Sequence, residues 1–178
     1  MYGGIGGRAL RPLKAVRVIA AADVIAALRA ANIECEVVNG VTAGIAAATV
    51  LGVPLTHRAV CHGAIFVTAH AHAGEGPDWK ALVATRMPLV IYMGVARCEA
   101  LQEELIAAGM GTATPAAAVS NATRAEERSV VTTIAGLAQA LRAAQIRSPA
   151  VIIVGEVARY ALPGAAVVVE DDRGMKVG

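Results

Sequence analysis

Aromatic side chains are scarce in this chain: one Phe, one Trp and three Tyr among 178 residues. Single-stranded nucleic acid is held largely by stacking on aromatic platforms, so so small a stock argues against that mode of binding. Basic clusters are lacking too. The formal net charge is +2, and acids alternate with bases without a Lys/Arg run, so no electrostatic footprint for DNA or a membrane surface stands out. Three cysteines, Cys35, Cys61 and Cys98, are odd in number and widely spaced. They suggest neither a disulfide framework nor a CxxC metal pair, and a reducing, cytoplasmic setting is expected. No uninterrupted apolar stretch approaches the ~20 residues of a membrane span.

What is abundant is small and apolar. Hydrophobic residues make up 56%, mostly Ala and Val, which suit close approach of helices to a sheet. Val24, Ile25, Leu28 and Ala31 recur with helical spacing, and Asn32 is placed to end that helix. Residues 34–38 read as a short strand, Asn39-Gly40 as a break, and Thr42 to Leu51 as a small-residue helix. AIFVT (64–68) and LVIYM (89–93) read as buried strands. Residues 71–77 read as a loop, and Asp78 as the N-cap of a helix starting at Trp79. Ala96 to Ala108 is amphipathic, with Leu101, Leu105 and Ile106 inward and Gly109 as C-cap; Glu99, Glu103 and Glu104 read as its solvated face. Strands at 115–119 and 128–132, a helix from Ile134 to Ala144 and a strand at 150–154 complete the pattern. The alternation predicts an α/β fold, a mixed sheet flanked by helices, with one domain over residues 34–160. The VVV run near the C-terminus is a possible edge strand, and the acidic residues after it a solvated tail.

Several strand ends share a chemistry. Val41-Thr42-Ala43-Gly44, Tyr92-Met93-Gly94, Asn121-Ala122-Thr123 and Pro149-Ala150 offer small residues and accessible backbone groups, as a small-molecule pocket requires. In chain order they carry a resemblance. Gly40-Val41-Thr42-Ala43-Gly44 with Gly52-Val53-Pro54-Leu55-Thr56-His57-Arg58 is similar to the "PGVTSA…GIPLTHR" stretch of the tetrapyrrole methylases. Phe66-Val67-Thr68-Ala69-His70 with Pro77-Asp78-Trp79 is similar to their "FVTGH…PDW". Tyr92-Met93-Gly94, Asn121-Ala122-Thr123 with Arg128, and Ser148-Pro149-Ala150 through Val154-Gly155-Glu156-Val157 continue the match over roughly residues 23 to 160. The "PLTHR" element points within that family to uroporphyrinogen-III C-methyltransferases.

The resemblance implies two α/β domains with S-adenosyl-L-methionine in the cleft between them, a tetrapyrrole substrate and a homodimer. It places the cofactor at Thr42, Ala43, Met93, Ala122 and Ala150, largely through backbone groups, and leaves the catalytic residues unassigned. The implied reaction is C-methylation of uroporphyrinogen III at C2 and C7 to give precorrin-2, in sirohaem and cobalamin synthesis. A methylase acting on a later precorrin, or a remnant that keeps the fold without activity, are the competing readings. The family's "GAGPGDP" and "GGDPFVFGRGG" loops have no counterpart here; residues 12–22, where the second would fall, read PLKAVRVIAAA. The expected organisation is therefore an atypical segment (1–22), a remnant of the N-terminal domain (23–40), the C-terminal methylase domain (41–160) and a tail (161–178). Asn39 stands where the family has Pro.

The same residues have plainer readings. Without the resemblance, Met93 is core filler at a strand end and Thr42 an ordinary N-cap. His70 and His72, with Cys61-His62 upstream, lack the four well-spaced ligands of a structural zinc site, and no metal is expected. His57-Arg58 suits either substrate carboxylates or a salt bridge. Gly3 to Gly7 lacks the preceding strand of a phosphate loop.

Overall fold

The computed structural model describes residues 16–18, 22–37, 40–70 and 76–162. The chain divides into two compact units, residues 1–41 and 42–178.

In the first unit, β1 (Val16–Val18), α1 (Ala22–Ala30) and β2 (Cys35–Val37) form a strand–helix–strand unit. The two strands pair in parallel, Val16 opposite Cys35 and Val18 opposite Val37. Two expectations change here. Residues 12–22 carry a strand that their sequence did not announce, and the strand at 34–38 does not join the main sheet of a 34–160 domain. A parallel partner so close in sequence, reached across one short helix, gives β2 its own two-stranded sheet. Helix α1 ends as its Asn32 suggests. Asn32 adopts φ +53°, and the amides of Asn32 and Ile33 donate to the carbonyls of Arg29 and Leu28, satisfying carbonyls that a helix end leaves orphaned.

The second unit is built on a five-stranded sheet of order β3-β4-β7-β5-β6. Its strands are β3 (Ile65–Thr68), β4 (Leu89–Tyr92), β5 (Pro115–Ser120), β6 (Arg128–Thr133) and β7 (Ala150–Val154). All five lie where the apolar runs place them. Among neighbouring strands of this sheet only the pair β3 and β4 is parallel; β7 lies antiparallel to both β4 and β5, and β5 and β6 form a hairpin. The helices are α2 (Ala43–Val50), α3 (Trp79–Ala84), α4 (Cys98–Ala107) and α5 (Leu137–Ala143). Asp78 caps α3 as expected, its Oδ1 accepting the Ala81 amide at 3.0 Å. Gly52, Gly109 and Gln145, all at positive φ, close α2, α4 and α5 with the same paired amide-to-carbonyl bonds as α1.

Strand periodicity sorts the core into two layers. Leu89, Ile91, Ala116, Ala118, Ile152 and Val154 face Leu101 and Leu105 of α4 and Leu137 and Leu141 of α5. The alternate residues Val90, Ala117, Val119, Val151 and Ile153 face Ala47, Ala48 and Leu51. Each buried leucine contributes about 1.5–3 kcal/mol by leaving water. Fully buried Ala116, Ala117 and Ala118 keep the surface of β5 low on both faces, so helices can pack close on either side.

The acidic face of α4 differs from its sequence reading. Glu104 accepts the Trp79 indole N–H at 2.8 Å and pairs with Arg97, whose other guanidinium nitrogen donates to the Ala69 carbonyl at 2.8 Å. A carboxylate read as solvated instead ties α3, α4 and the end of β3 together. Glu99, by contrast, stays exposed and pairs with Arg142.

Cys98, buried at the start of α4, has its thiol pushed up from 9.0 to about 11, first by burial and then by Glu99, with Arg142 opposing. The folded state therefore holds this proton more tightly than the unfolded chain. Its contribution to stability is complete below about pH 9 and is lost as pH rises towards 11. Cys98→Ala is expected to flatten the fall of stability across that window, as read from urea unfolding at stepped pH. An unchanged slope would assign it to other groups.

Among the described residues no helix is long and apolar enough to cross a membrane, and no group of three or more His, Cys, Asp or Glu could hold a metal ion. His72 and the C-terminal VVV run lie outside the described residues.

Candidate functional site

Sheet direction brings distant segments to one end. The C-terminal ends of β3, β4 and β5 lie together with the N-terminal end of β7. Tyr92 stands opposite Val151, and Ser120 opposite Ala150; the Asn121 amide then donates to the Pro149 carbonyl at 3.0 Å. Met93, Ala122 and Ala150 thus occupy the same rim, where open α/β sheets commonly bind ligands. Thr42 and Ala43 join them from the start of α2. The Thr42 and Tyr92 hydroxyl oxygens are 2.5 Å apart, and the Gly44 amide donates to Tyr92 Oη at 3.1 Å.

The five residues suggested by sequence gather at one end of the sheet, but they do not share one face. Ala122 packs on the layer beneath α2, beside Tyr92, whereas Ala150 packs on the α4–α5 layer. Any common ligand would meet them across the rim.

The rim has an unusual backbone. Met93, Asn121 and Thr123 have φ of +55°, +51° and +67°, a left-handed conformation that non-glycine residues seldom adopt. Met93 and Asn121 directly follow β4 and β5 and turn the chain off the ladder, and Thr123 lies in the turn after β5. Among the described residues, the amide and carbonyl groups of Met93 and Ala122 have no hydrogen-bond partner. Such groups are left open at a surface where water or a ligand can meet them. Gly94 follows Met93 under a steric demand: a Cβ there would come 2.9 Å from Leu101 Cδ2 and 3.0 Å from Ile152 Cδ1.

Apolar surface lies beside these groups. Met93 is 63% exposed, Phe66 45% and Ile45 47%, and Phe66 stacks on Tyr92 with ring centroids 6.4 Å apart. Helix α2 passes tightly over this pair: a Cβ on Gly44 would lie 2.5 Å from Tyr92 Oη and 2.8 Å from Phe66 Cε1. The rim therefore offers the exposed Thr42 hydroxyl, open amides and carbonyls, and an aromatic and a thioether surface. That set suits a ligand with both a polar end and a flat, weakly polar ring.

Sequence reasoning named Tyr92 within the Tyr92-Met93-Gly94 motif but gave its side chain no role. It was visible as the polar end of an otherwise apolar strand, LVIY, yet its partners are 48 and 50 residues away. Thr42 is likewise not the ordinary N-cap of its plainer reading, since its side chain makes no cap bond to α2 and turns to Tyr92 instead. His57 stacks on Tyr160 at 5.0 Å, and its Nδ1 accepts the Ala59 amide. Arg58 is exposed and among the described residues has no side-chain partner. Arg128 reaches the side-chain oxygen of Gln145 at 2.9 Å.

Comparison with known proteins identifies the family. Residues 25–138 fit the family model of the tetrapyrrole (corrin/porphyrin) methylases. The uroporphyrinogen-III C-methyltransferase of Pseudomonas aeruginosa is 41% identical over 128 residues, 72% of this chain and 52% of that protein. Siroheme synthase 2 of Aeromonas hydrophila is 43% identical over 127 residues, 71% of this chain and 27% of that protein. Among solved structures, the uroporphyrin-III C-methyltransferase of Thermus thermophilus in complex with S-adenosyl homocysteine superposes with a TM-score of 0.65. It is 32% identical, over 77% of this chain and 59% of that one. The chain spans about half the length of the curated C-methyltransferases it matches. With its mixed five-stranded sheet and the motifs at its rim, this chain belongs to the tetrapyrrole methylase family.

Proposed function

We propose that this chain carries the cofactor-binding domain of an S-adenosyl-L-methionine-dependent uroporphyrinogen-III C-methyltransferase. The observation that carries the reading is the set of open backbone groups at Met93 and Ala122, gathered on one rim with the Thr42 hydroxyl. When bound, S-adenosylmethionine supplies an electrophilic methyl group. The residues present fit such a ligand. Thr42, Ala43, Met93 and Ala122 offer donors and acceptors to its polar groups, Ala150 leaves room at the end of β7, and exposed Phe66 and Met93 offer an apolar surface to its adenine.

The task of these residues is positional. Transfer to carbon requires the acceptor atom in line with the methyl group, and positioning supplies a large part of such rate enhancements. The relatives' names and the "PLTHR" segment favour uroporphyrinogen III over a later precorrin as the substrate, and methylation at C2 and C7 to give precorrin-2 belongs to the same proposal, as does a homodimer.

A chimera tests it. Residues 42–162 of this chain would replace the matching segment of the Pseudomonas aeruginosa enzyme, and the product would be offered uroporphyrinogen III and the methyl donor. Dimethylated product, identified by mass and absorbance, is expected. A chimera that folds and binds S-adenosylhomocysteine but methylates only a later precorrin would refute the substrate assignment. One that binds no cofactor would refute the site.

A further inference from the structure

We infer that Tyr92 is a positioning residue, which fixes the Thr42 hydroxyl as an outward hydrogen-bond donor to an acceptor atom of the bound S-adenosyl ligand. The inference rests on the cofactor reading above and assigns a part to a side chain that reading does not use.

The argument is one of protons. Thr42 and Tyr92 bring two hydroxyl protons to a pair of oxygens 2.5 Å apart, and only one proton can lie between them. Tyr92 Oη already accepts the Gly44 amide at 3.1 Å. If Thr42 also donated to it, the Tyr92 proton would need a third partner, and none is present among the described residues. With Tyr92 donating to Thr42 Oγ1, the Tyr92 hydroxyl is fully used and the Thr42 proton is the one left over. Thr42 is exposed, whereas Tyr92 is half-buried, so the free donor belongs to the accessible member. Donation from Tyr92 also polarises the Thr42 O–H and strengthens its next bond.

Tyr92 is itself held. Its ring stacks on Phe66, its hydroxyl is seated on the first turn of α2, and its carbonyl accepts the Ala69 amide at 2.8 Å. One side chain thereby joins the Thr42 segment to the residue directly before Met93, two segments of the proposed site that are 50 positions apart in sequence.

The test is titration of the purified chain with S-adenosylhomocysteine, followed by amide chemical shifts, which register weak binding. Tyr92→Phe keeps the ring and removes the proton; it is expected to weaken binding about fivefold, in keeping with loss of one well-placed hydrogen bond. Thr42→Val is expected to do the same, and Thr42→Ser to bind like the parent. If Tyr92 acts through Thr42, the double variant Tyr92→Phe/Thr42→Val binds no more weakly than either single variant. A role of Tyr92 in stability alone would lower Tm and leave affinity unchanged, and that result overturns the inference. So do losses that multiply in the double variant. Should Tyr92→Phe fail to fold, the exposed Thr42→Val decides, and unchanged affinity there overturns the inference as well. If the parent chain itself shows no shifts with the ligand, the cofactor reading falls and takes this inference with it. Binding by the parent with unaltered affinity in both single variants removes this inference alone.

Discussion

Methyl transfer by a polypeptide of these 178 residues is expected to be at least about a hundredfold slower than by the chimera described above, since misplacing a reacting group by about 1 Å already costs that much. The reason is geometric. In this family the resemblance implies a cofactor cleft with two walls, and the chain spans about half the length of its curated relatives. The rim proposed at Met93, Ala122 and Thr42 would hold part of a ligand. Alone it leaves the remainder in water, where neither the donor methyl nor the acceptor carbon is held in line. The exposed Ile45, Phe66 and Met93 add a second expected result. Contiguous apolar surface promotes association, so sedimentation of the chain should depend on its concentration. Single-turnover rates with uroporphyrinogen III compare the two polypeptides directly. Equal rates would show that the 178 residues supply both walls and that the partial-site argument is wrong.

Gly155→Ala is expected to destabilise the chain by about 3 kcal/mol, from backbone strain and overpacking together. For a protein of this size that is roughly 6–12 °C in Tm. Gly155 has φ +132° and ψ 173°, a region essentially reserved for glycine. A Cβ there would come 3.0 Å from Pro88 Cα, a backbone atom that cannot swing away. The position cannot readily move, because the Gly155 amide donates to the Pro115 carbonyl at 2.9 Å. It also leads into the turn that buries Val157 and Ala158 completely. Gly109→Ala is the control: its φ is +96°, but an added Cβ meets nothing within 4 Å. It should cost only the strain, about 1 kcal/mol. Thermal melts of the two variants separate strain from collision, and equal shifts would mean that Pro88 gives way. Gly155 lies at the end of the sheet opposite Met93, so any S-adenosylhomocysteine binding by folded Gly155→Ala should match the parent.

Much of this molecule is legible in its sequence because the signals are short. The strands at AIFVT, LVIYM and AVIIV are apolar runs bounded by breakers. Asp78 announces α3, and Asn32 and Gly109 announce helix ends, each through chemistry completed within five residues. The motifs at Thr42, Met93, Ala122 and Ala150 carry the family in the same local way. Tertiary structure decided what depends on distant partners. It placed β7 between β4 and β5 although β7 comes last of the three, and gave β2 a sheet with β1 rather than with the other strands. It drew Glu104 from a solvated face into a bond with Trp79, and Tyr92 from the end of a strand onto the hydroxyl of Thr42. Periodicity reports which face of an element is apolar, but not which element will cover it or which polar atom will meet another 50 residues away. Those choices are made only when the whole sheet has formed and its buried polar groups must find partners.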